Sequence, residues 1–295
     1  MLFNLGSSLL ALLSLHVYGS VALPVVPVGL ESRADGIAQS TYDNLVRYAK
    51  FSSAAYQLVC PRPLGNTLVK SLNKGNTEGF VARDDGRKEI VVSLRGTFSI
   101  PDALTDLKIL LTPLKSVGIT DVGSAKVHFG FLEAYNLVAS DVIAAVKGQL
   151  ASRPSYSVVV TGHSLGGALA SLAAVSLKAA VPSANLKLYT YGQPRVGDPA
   201  FASLVESRLG VPNIFRAVHT YDGVPTFLLG SIGYRHFANE FWNFQEPPSA
   251  KNTRQCSGGE DASCSKSIPS TFINPAHILY FGQPMALNPL LCIAG

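Results

Sequence analysis

Gly162-His163-Ser164-Leu165-Gly166 sets a serine between two glycines, after the β-branched run Ser157–Thr161 and before a small-residue run opening at Gly167-Ala168. A serine at a strand-to-helix turn must adopt a strained backbone. Glycines at 162 and 166 remove side chains that would clash there, and Gly167 lets the following helix pack closely. The Ser164 oxygen then lies at the positive end of a helix, which favours developing negative charge. The pattern alone occurs by chance in a chain with 26 glycines. Its position between a strand and a helix is what makes Ser164 a candidate nucleophile.

A hydroxyl needs a base to take its proton, and the base needs an acid to orient it. On this kind of turn the chain order is serine, acid, histidine, so the partners lie after residue 164. Asp222 stands just past the run Ile214–Thr220, where a strand end delivers a side chain to the active face. Asp198, in Gly197-Asp198-Pro199, comes second and reads as a helix cap; Glu206, Glu240, Glu246, Glu260 and Asp261 lie in helical or loop settings. For the base, His277 follows a Pro-containing loop and precedes an apolar run, and spacing favours it over His236. His219 lies within a strand, and His163 reads as a buried hydrogen-bonding residue under the turn.

The elements that must position these residues alternate along the chain. Tyr42, Leu45, Val46 and Ala49 recur at helical spacing after Ser40, a plausible cap. There follow a strand at Ile90–Leu94, a helix from Ala134 to Leu150, a strand at Val158–Val160 and a helix from Ala168 to Ala180. Leu186–Tyr191 then reads as a strand, Ala200–Leu209 as a helix and Ile214–Thr220 as a strand. Strands separated by helices of this length predict one α/β domain with a largely parallel sheet covered on both faces, its chemistry at the carboxyl ends of the strands. The 295 residues are 47% hydrophobic and only 15% charged, with a formal charge of +5. That composition excludes a disordered or nucleic-acid-coating protein, and Lys and Arg are scattered.

From Leu9 to Tyr18 the chain is almost wholly apolar and ends at Ser20-Val21-Ala22, small residues spaced as a signal-peptidase site. Residues 1–22 are expected to be a secretory signal and 23–39 an extended segment, with Arg33 as a candidate propeptide cut, leaving 40–295 as the catalytic domain and the protein extracellular. The apolar run is too short to span a bilayer, and no later stretch is expected to do so. An oxidising compartment makes the four cysteines legible. Cys256 and Cys264 bracket a turn-rich heptapeptide suited to a local staple, which leaves Cys60 for Cys292. Absence of C-x-x-C and H-E-x-x-H spacings predicts no metal site, and no cofactor is called for.

Taken together, Leu94-Arg95-Gly96-Thr97, Val127-His128-Phe129-Gly130-Phe131, Thr161 to Ala170, Tyr191 to Gly197, His219 to Pro225 and Ala276-His277 before Tyr280-Phe281-Gly282 resemble the fungal class 3 lipases, a family that includes type A feruloyl esterases. The resemblance spans roughly residues 42–292. It implies an α/β-hydrolase fold with a short lid helix, a serine ester hydrolase, and a triad of Ser164, Asp222 and His277. It also implies an oxyanion hole at Thr97 and Leu165, and supports the Cys60–Cys292 pairing. In family lipases the segment after Arg-Gly carries an amphipathic lid. Here Ile100, Ala103, Leu104, Leu107 and Leu111 fall on one helical face, with Pro101 at the first position. The stripe resembles a lipase lid; Thr97, Asp222-Gly223-Val224-Pro225 and the close Cys256 and Cys264 resemble the feruloyl esterases. The expected partners are an acylglycerol, or alternatively a cinnamoyl ester, and a lipid–water interface, with no nucleic acid and no transmembrane anchor. A non-catalytic lipid-binding protein on the same scaffold is a remote alternative, since it would be expected to lack a triad position.

Overall fold

The computed structural model describes residues 36–97, 110–269 and 273–293. The expected leader and extended segment up to Asp35, and the lid positions Ile100, Ala103, Leu104 and Leu107, lie outside the described residues.

A twisted sheet of eight strands runs in the order β1 (Thr67–Lys74), β2 (Thr77–Asp84), β3 (Glu89–Leu94), β6 (Ser157–His163), β7 (Leu186–Tyr191), β8 (Ile214–His219), β9 (Glu240–Asn243), β10 (Thr253–Gln255). From β3 to β9 every pairing is parallel; the pairings of β1 with β2, β2 with β3 and β9 with β10 are antiparallel. The expected largely parallel sheet is thus its centre, extended on both edges by strands the sequence pattern did not single out. Two small ribbons lie apart from it, β4 (Leu111–Pro113) with β5 (Lys126–His128), and β11 (Leu279–Tyr280) with β12 (Gln283–Pro284).

Successive side chains of a strand point to opposite faces, so the central strands divide two cores. Val91, Val159, Tyr189 and Ala217 pack with Leu45, Tyr48 and Phe51 of α1 (Gln39–Ala54). On the other face, Ile90, Val92, Val158, Val160, Leu186 and Leu188 pack with α2 (Phe129–Ser152), α3 (Leu165–Ala180) and α4 (Pro199–Leu209). Helix α2 is, by length and composition alone, apolar enough to cross a membrane, contrary to the reading that no later stretch qualifies. Its face at Phe131, Tyr135, Val138, Val142 and Val146 is buried in this core, which accounts for the apolarity.

Three local expectations are corrected. Helix α1 starts at Gln39 with Ala38 as its cap residue, so Ser40 lies inside the helix and caps nothing. The Ile37 N–H donates to Ala250 O at 2.9 Å, so packing begins before residue 40. Leu111, placed on the helical lid stripe, is instead the first residue of β4, opposite His128. Pairing of Leu111–Pro113 with Lys126–His128 holds this stretch extended, and tertiary pairing overrides a helical spacing that rested on one residue here. Both expected disulfides are present, Cys60–Cys292 and Cys256–Cys264.

Candidate active site

The parallel register brings the chemistry to one edge. Leu94 pairs with Gly162, His163 with Tyr191, and Tyr191 with Ala217, so the segments leaving β3, β6, β7 and β8 emerge side by side. Ser164 sits between β6 and α3 with φ 56° and ψ −127°, the strained turn its glycines predict. Its N–H donates to Tyr191 O at 2.8 Å, and its carbonyl accepts from Gly167 N–H at 2.9 Å. There is no room for larger residues at the flanks: a Cβ on Gly162 would stand 2.2 Å from Gly166 O, and one on Gly166 would stand 2.2 Å from Leu94 O.

Asp222 leaves the turn after β8. His277 sits in a short 3-10 turn, Pro275–Ile278, whose first residues are capped by the Asn274 side chain accepting from Ala276 N–H at 3.1 Å. The two side chains are buried and meet: His277 Nδ1–H donates to Asp222 Oδ2 at 2.9 Å. Asp222 Oδ2 also accepts from the Tyr280 hydroxyl, and Oδ1 from Val224 N–H at 2.9 Å. Burial first, and the Asp222 carboxylate second, push the Tyr280 phenol far up, so it remains a donor. The carboxylate is therefore saturated with donors, which fixes the ring and leaves its Nε2 as the lone pair available for a proton. That Nε2 is buried and makes no hydrogen bond among the described residues. Contacts of this kind tighten when substrate arrives.

Gly192, with φ 55°, forms the floor under this pair. A Cβ there would stand 2.7 Å from Asp222 Oδ2 and 3.0 Å from His277 Cε1. Tyr280 and Gly192 stand in the sequence only as parts of motifs; neither local pattern nor spacing says that they touch Asp222, 58 residues before Tyr280. Gly96 plays a similar part on the other side. Its Cβ would lie 3.2 Å from Ser164 Cβ and 2.2 Å from the Tyr56 hydroxyl, so the Arg95-Gly96-Thr97 segment is drawn against the serine.

A family model described as Lipase (class 3) matches residues 91–231. A lipase of Rhizomucor miehei is 40% identical over 222 residues, covering 74% of this chain and 57% of that protein. The secreted alkaline triacylglycerol lipase of Penicillium cyclopium is 32% identical over 288 residues, 97% of each chain. The chain belongs to the fungal class 3 lipase family. Among solved structures, a triacylglycerol lipase from Penicillium expansum has a TM-score of 0.78 at 30% identity, over 85% of this chain and 96% of that one. The α/β-hydrolase fold is shared with it. The chain spans little more than half the length of the Rhizomucor relative.

Within this class 3 lipase scaffold the other acid and histidine candidates make structural contacts. Asp198 caps α4, accepting from Phe201 N–H at 2.8 Å, as its turn suggested. His236, the alternative base, donates its Nε2–H to Pro225 O at 2.8 Å. His163 accepts at Nδ1 from the Tyr56 hydroxyl at 2.7 Å. Leu165 is the first residue of α3, where a backbone N–H has no intrahelical acceptor. Three of these buried imidazoles are held neutral. Burial pushes His128 down to about 4. His163 is driven well below the ordinary value by burial and then His277, and His236 by burial and then Arg216 and Arg195.

The sign of the resulting pH dependence follows. Below the ordinary histidine value of about 6.5, the unfolded chain takes up protons that the folded chain refuses, so stability is present above that value and is lost as the pH falls toward 4. Each such histidine contributes a slope of about 1.4 kcal/mol per pH unit in that window. Calorimetric melting temperature is expected to drop steeply between about pH 6 and pH 5. A flat profile there would contradict the neutral assignment.

Proposed function

We propose that the protein is a secreted serine carboxylic-ester hydrolase acting on acylglycerols, with Ser164 as nucleophile, His277 as base and Asp222 as its orienting acid. The observation that carries this reading is the buried Asp222–His277 pair packed against His163, the residue before a serine held at φ 56° at a helix start. Ser164 Oγ attacks the ester carbonyl while His277 Nε2 takes its proton. The oxyanion is held by the Leu165 N–H and the Thr97 N–H and hydroxyl, donors worth on the order of 3 kcal/mol each in such holes. Collapse gives the protonated His277 proton to the leaving alcohol and leaves an acyl-serine. Water, deprotonated by the same imidazole, then releases the carboxylic acid and frees the serine.

The acylglycerol choice is supported by the Penicillium cyclopium and Penicillium expansum relatives, which are triacylglycerol lipases by name, and by apolar surface flanking the site. Tyr221 and Ile278, chain neighbours of the acid and the base, are 48% and 50% exposed. A lipid–water interface would cover them. A lid formed by Ile100, Ala103, Leu104 and Leu107 belongs to the same proposal. Secretion is supported by the apolar leader and by two disulfides.

The Cys256–Cys264 staple favours a second reading, a cinnamoyl esterase on the same triad. Tributyrin droplets and methyl ferulate, compared side by side, separate the two. An acylglycerol lipase is expected to turn over tributyrin faster and to rise in rate once substrate exceeds its solubility, as a lid responding to an interface requires. Faster turnover of methyl ferulate, with no break at the solubility limit, would replace the first reading with the second.

A further inference from the structure

We infer that His219 is a positioning residue for the proposed acid and base together, and that Glu246 holds its ring in the orientation this requires. The inference rests on the triad reading above and concerns a residue outside it.

His219 closes β8 and touches both arms of the site. Its carbonyl accepts from Asp222 N–H at 2.9 Å, fixing the turn that carries the acid. Its ring Nδ1 lies 2.9 Å from the carbonyl oxygen of Ala276, the residue before the base. From the opposite side, His163 Nε2–H donates to the carbonyl of His277 itself at 2.7 Å, with the two rings 4.4 Å apart. The two peptide carbonyls that bracket the Cα of the base are therefore each gripped by an imidazole. Asn274 ties the same two turns, its side-chain N–H donating to Tyr221 O at 2.8 Å and its carbonyl accepting from His277 N–H at 2.9 Å, but among the described residues only His219 does so with an imidazole against Ala276 O.

The proton count of His219 follows from its partners. A carbonyl only accepts, so Nδ1 carries hydrogen. Its Nε2 lies 2.5 Å from Glu246 Oε1. Both contacts are hydrogen bonds only if His219 and Glu246 hold two protons between them, as an imidazolium–carboxylate pair does. Glu246 is half-exposed, with 47% of its side chain accessible, while His219 is buried. The Tyr280 ring meets the His219 ring edge-on at 5.8 Å, and its hydroxyl donates to the Asp222 carboxylate, so the same ring cluster reaches the acid. Held by Glu246 at Nε2, the His219 ring is aimed with Nδ1–H at the turn that carries the base.

The experiment follows kcat and KM for p-nitrophenyl butyrate in the full-length protein and in His219→Ala, His219→Asn, Glu246→Gln and Glu246→Ala. Loss of the ring is expected to lower kcat by about tenfold or more while KM moves less than about twofold, because misplacing a base acts on the chemical step. Asparagine at 219 presents an amide N–H near the Nδ1 position and should recover most of that loss. Glutamine at 246 can donate to the Nε2 of a neutral ring, leaving Nδ1–H for Ala276, and should keep most of kcat, whereas Glu246→Ala leaves the ring unaimed and should lower kcat several-fold with KM little moved. If His219→Ala does not fold, the two variants at 246 decide alone, since that side chain is half-exposed. Equal kcat in Glu246→Gln and Glu246→Ala, or a folded His219→Ala with undiminished kcat, overturns the inference. Labelling by an organophosphonate separates this from the triad reading. Label on Ser164 with undiminished rates in the His219 and Glu246 variants ends the inference alone, whereas label elsewhere ends the reading and the inference with it.

Discussion

Ser164→Ala is expected to lose about 10⁴-fold or more of kcat while folding normally, because the bound substrate and the oxyanion donors survive the loss of the attacking oxygen. The fold should tolerate the change. Ser164 holds the elbow through its backbone, with its N–H on Tyr191 O and its carbonyl receiving Gly167 N–H, and alanine keeps both. The positive φ disfavours alanine as much as serine, so the strain is already present. Steady-state rates on a soluble ester, together with organophosphonate labelling, check this. A variant that keeps even a tenth of the activity would remove Ser164 from its role.

The second large effect is expected at the acid. Asp222 Oδ2 accepts from both His277 Nδ1–H and the Tyr280 hydroxyl, and Oδ1 accepts from Val224 N–H. In Asp222→Asn one of these positions becomes an NH₂ group. When it faces the imidazole, Nδ1 must become the acceptor, and the hydrogen moves to Nε2, the atom that has to take the serine proton. A wrong tautomer with the geometry kept costs on the order of 10⁴-fold in a serine triad. The companion variant Asp198→Asn should cost little, since asparagine caps a helix about as well as aspartate. Comparable losses in both variants, or a fall of less than about tenfold in Asp222→Asn, would return the choice of acid to the runner-up.

Much of this site is legible because its demands are local. Gly162, Gly166 and Gly167 stand where a Cβ would meet backbone or a neighbouring side chain, and a constraint of that kind writes itself into consecutive residues. Asp222 and His277 are legible one step less directly, through chain order and the ends of apolar runs. The contacts that join segments left no local trace. Tyr56 under His163 is 107 residues away from it, and His219 against Ala276 is 57 away; each looks like an ordinary core residue in its own window. The edge strands β1, β2, β9 and β10 were missed for a related reason. The exposed residues of β1, Lys70, Ser71, Asn73 and Lys74, leave too few apolar positions to make a pattern. Helix α2 begins at Phe129 and not at Ala134 because the His128 side chain accepts from Phe131 N–H, a cap that a window of aromatic residues conceals. Leu111 shows the opposite error, in which a helical spacing is read into a paired strand.

The nucleophile and the base are anchored in different ways, and heat should tell them apart. Ser164 hangs from β6, a strand paired on both sides in the middle of the sheet. Its amides belong to the part of the molecule that opens only with the whole. His277 rides on a 3-10 turn tied to the body by individual side-chain bonds, including Asn274 Nδ2–H to Tyr221 O at 2.8 Å. Such a turn can leave while the sheet stands. Amide exchange at residues 274–278 would then run ahead of exchange in β6. A warmed sample would fall silent with its far-ultraviolet dichroism intact, and would recover its activity on cooling without having refolded.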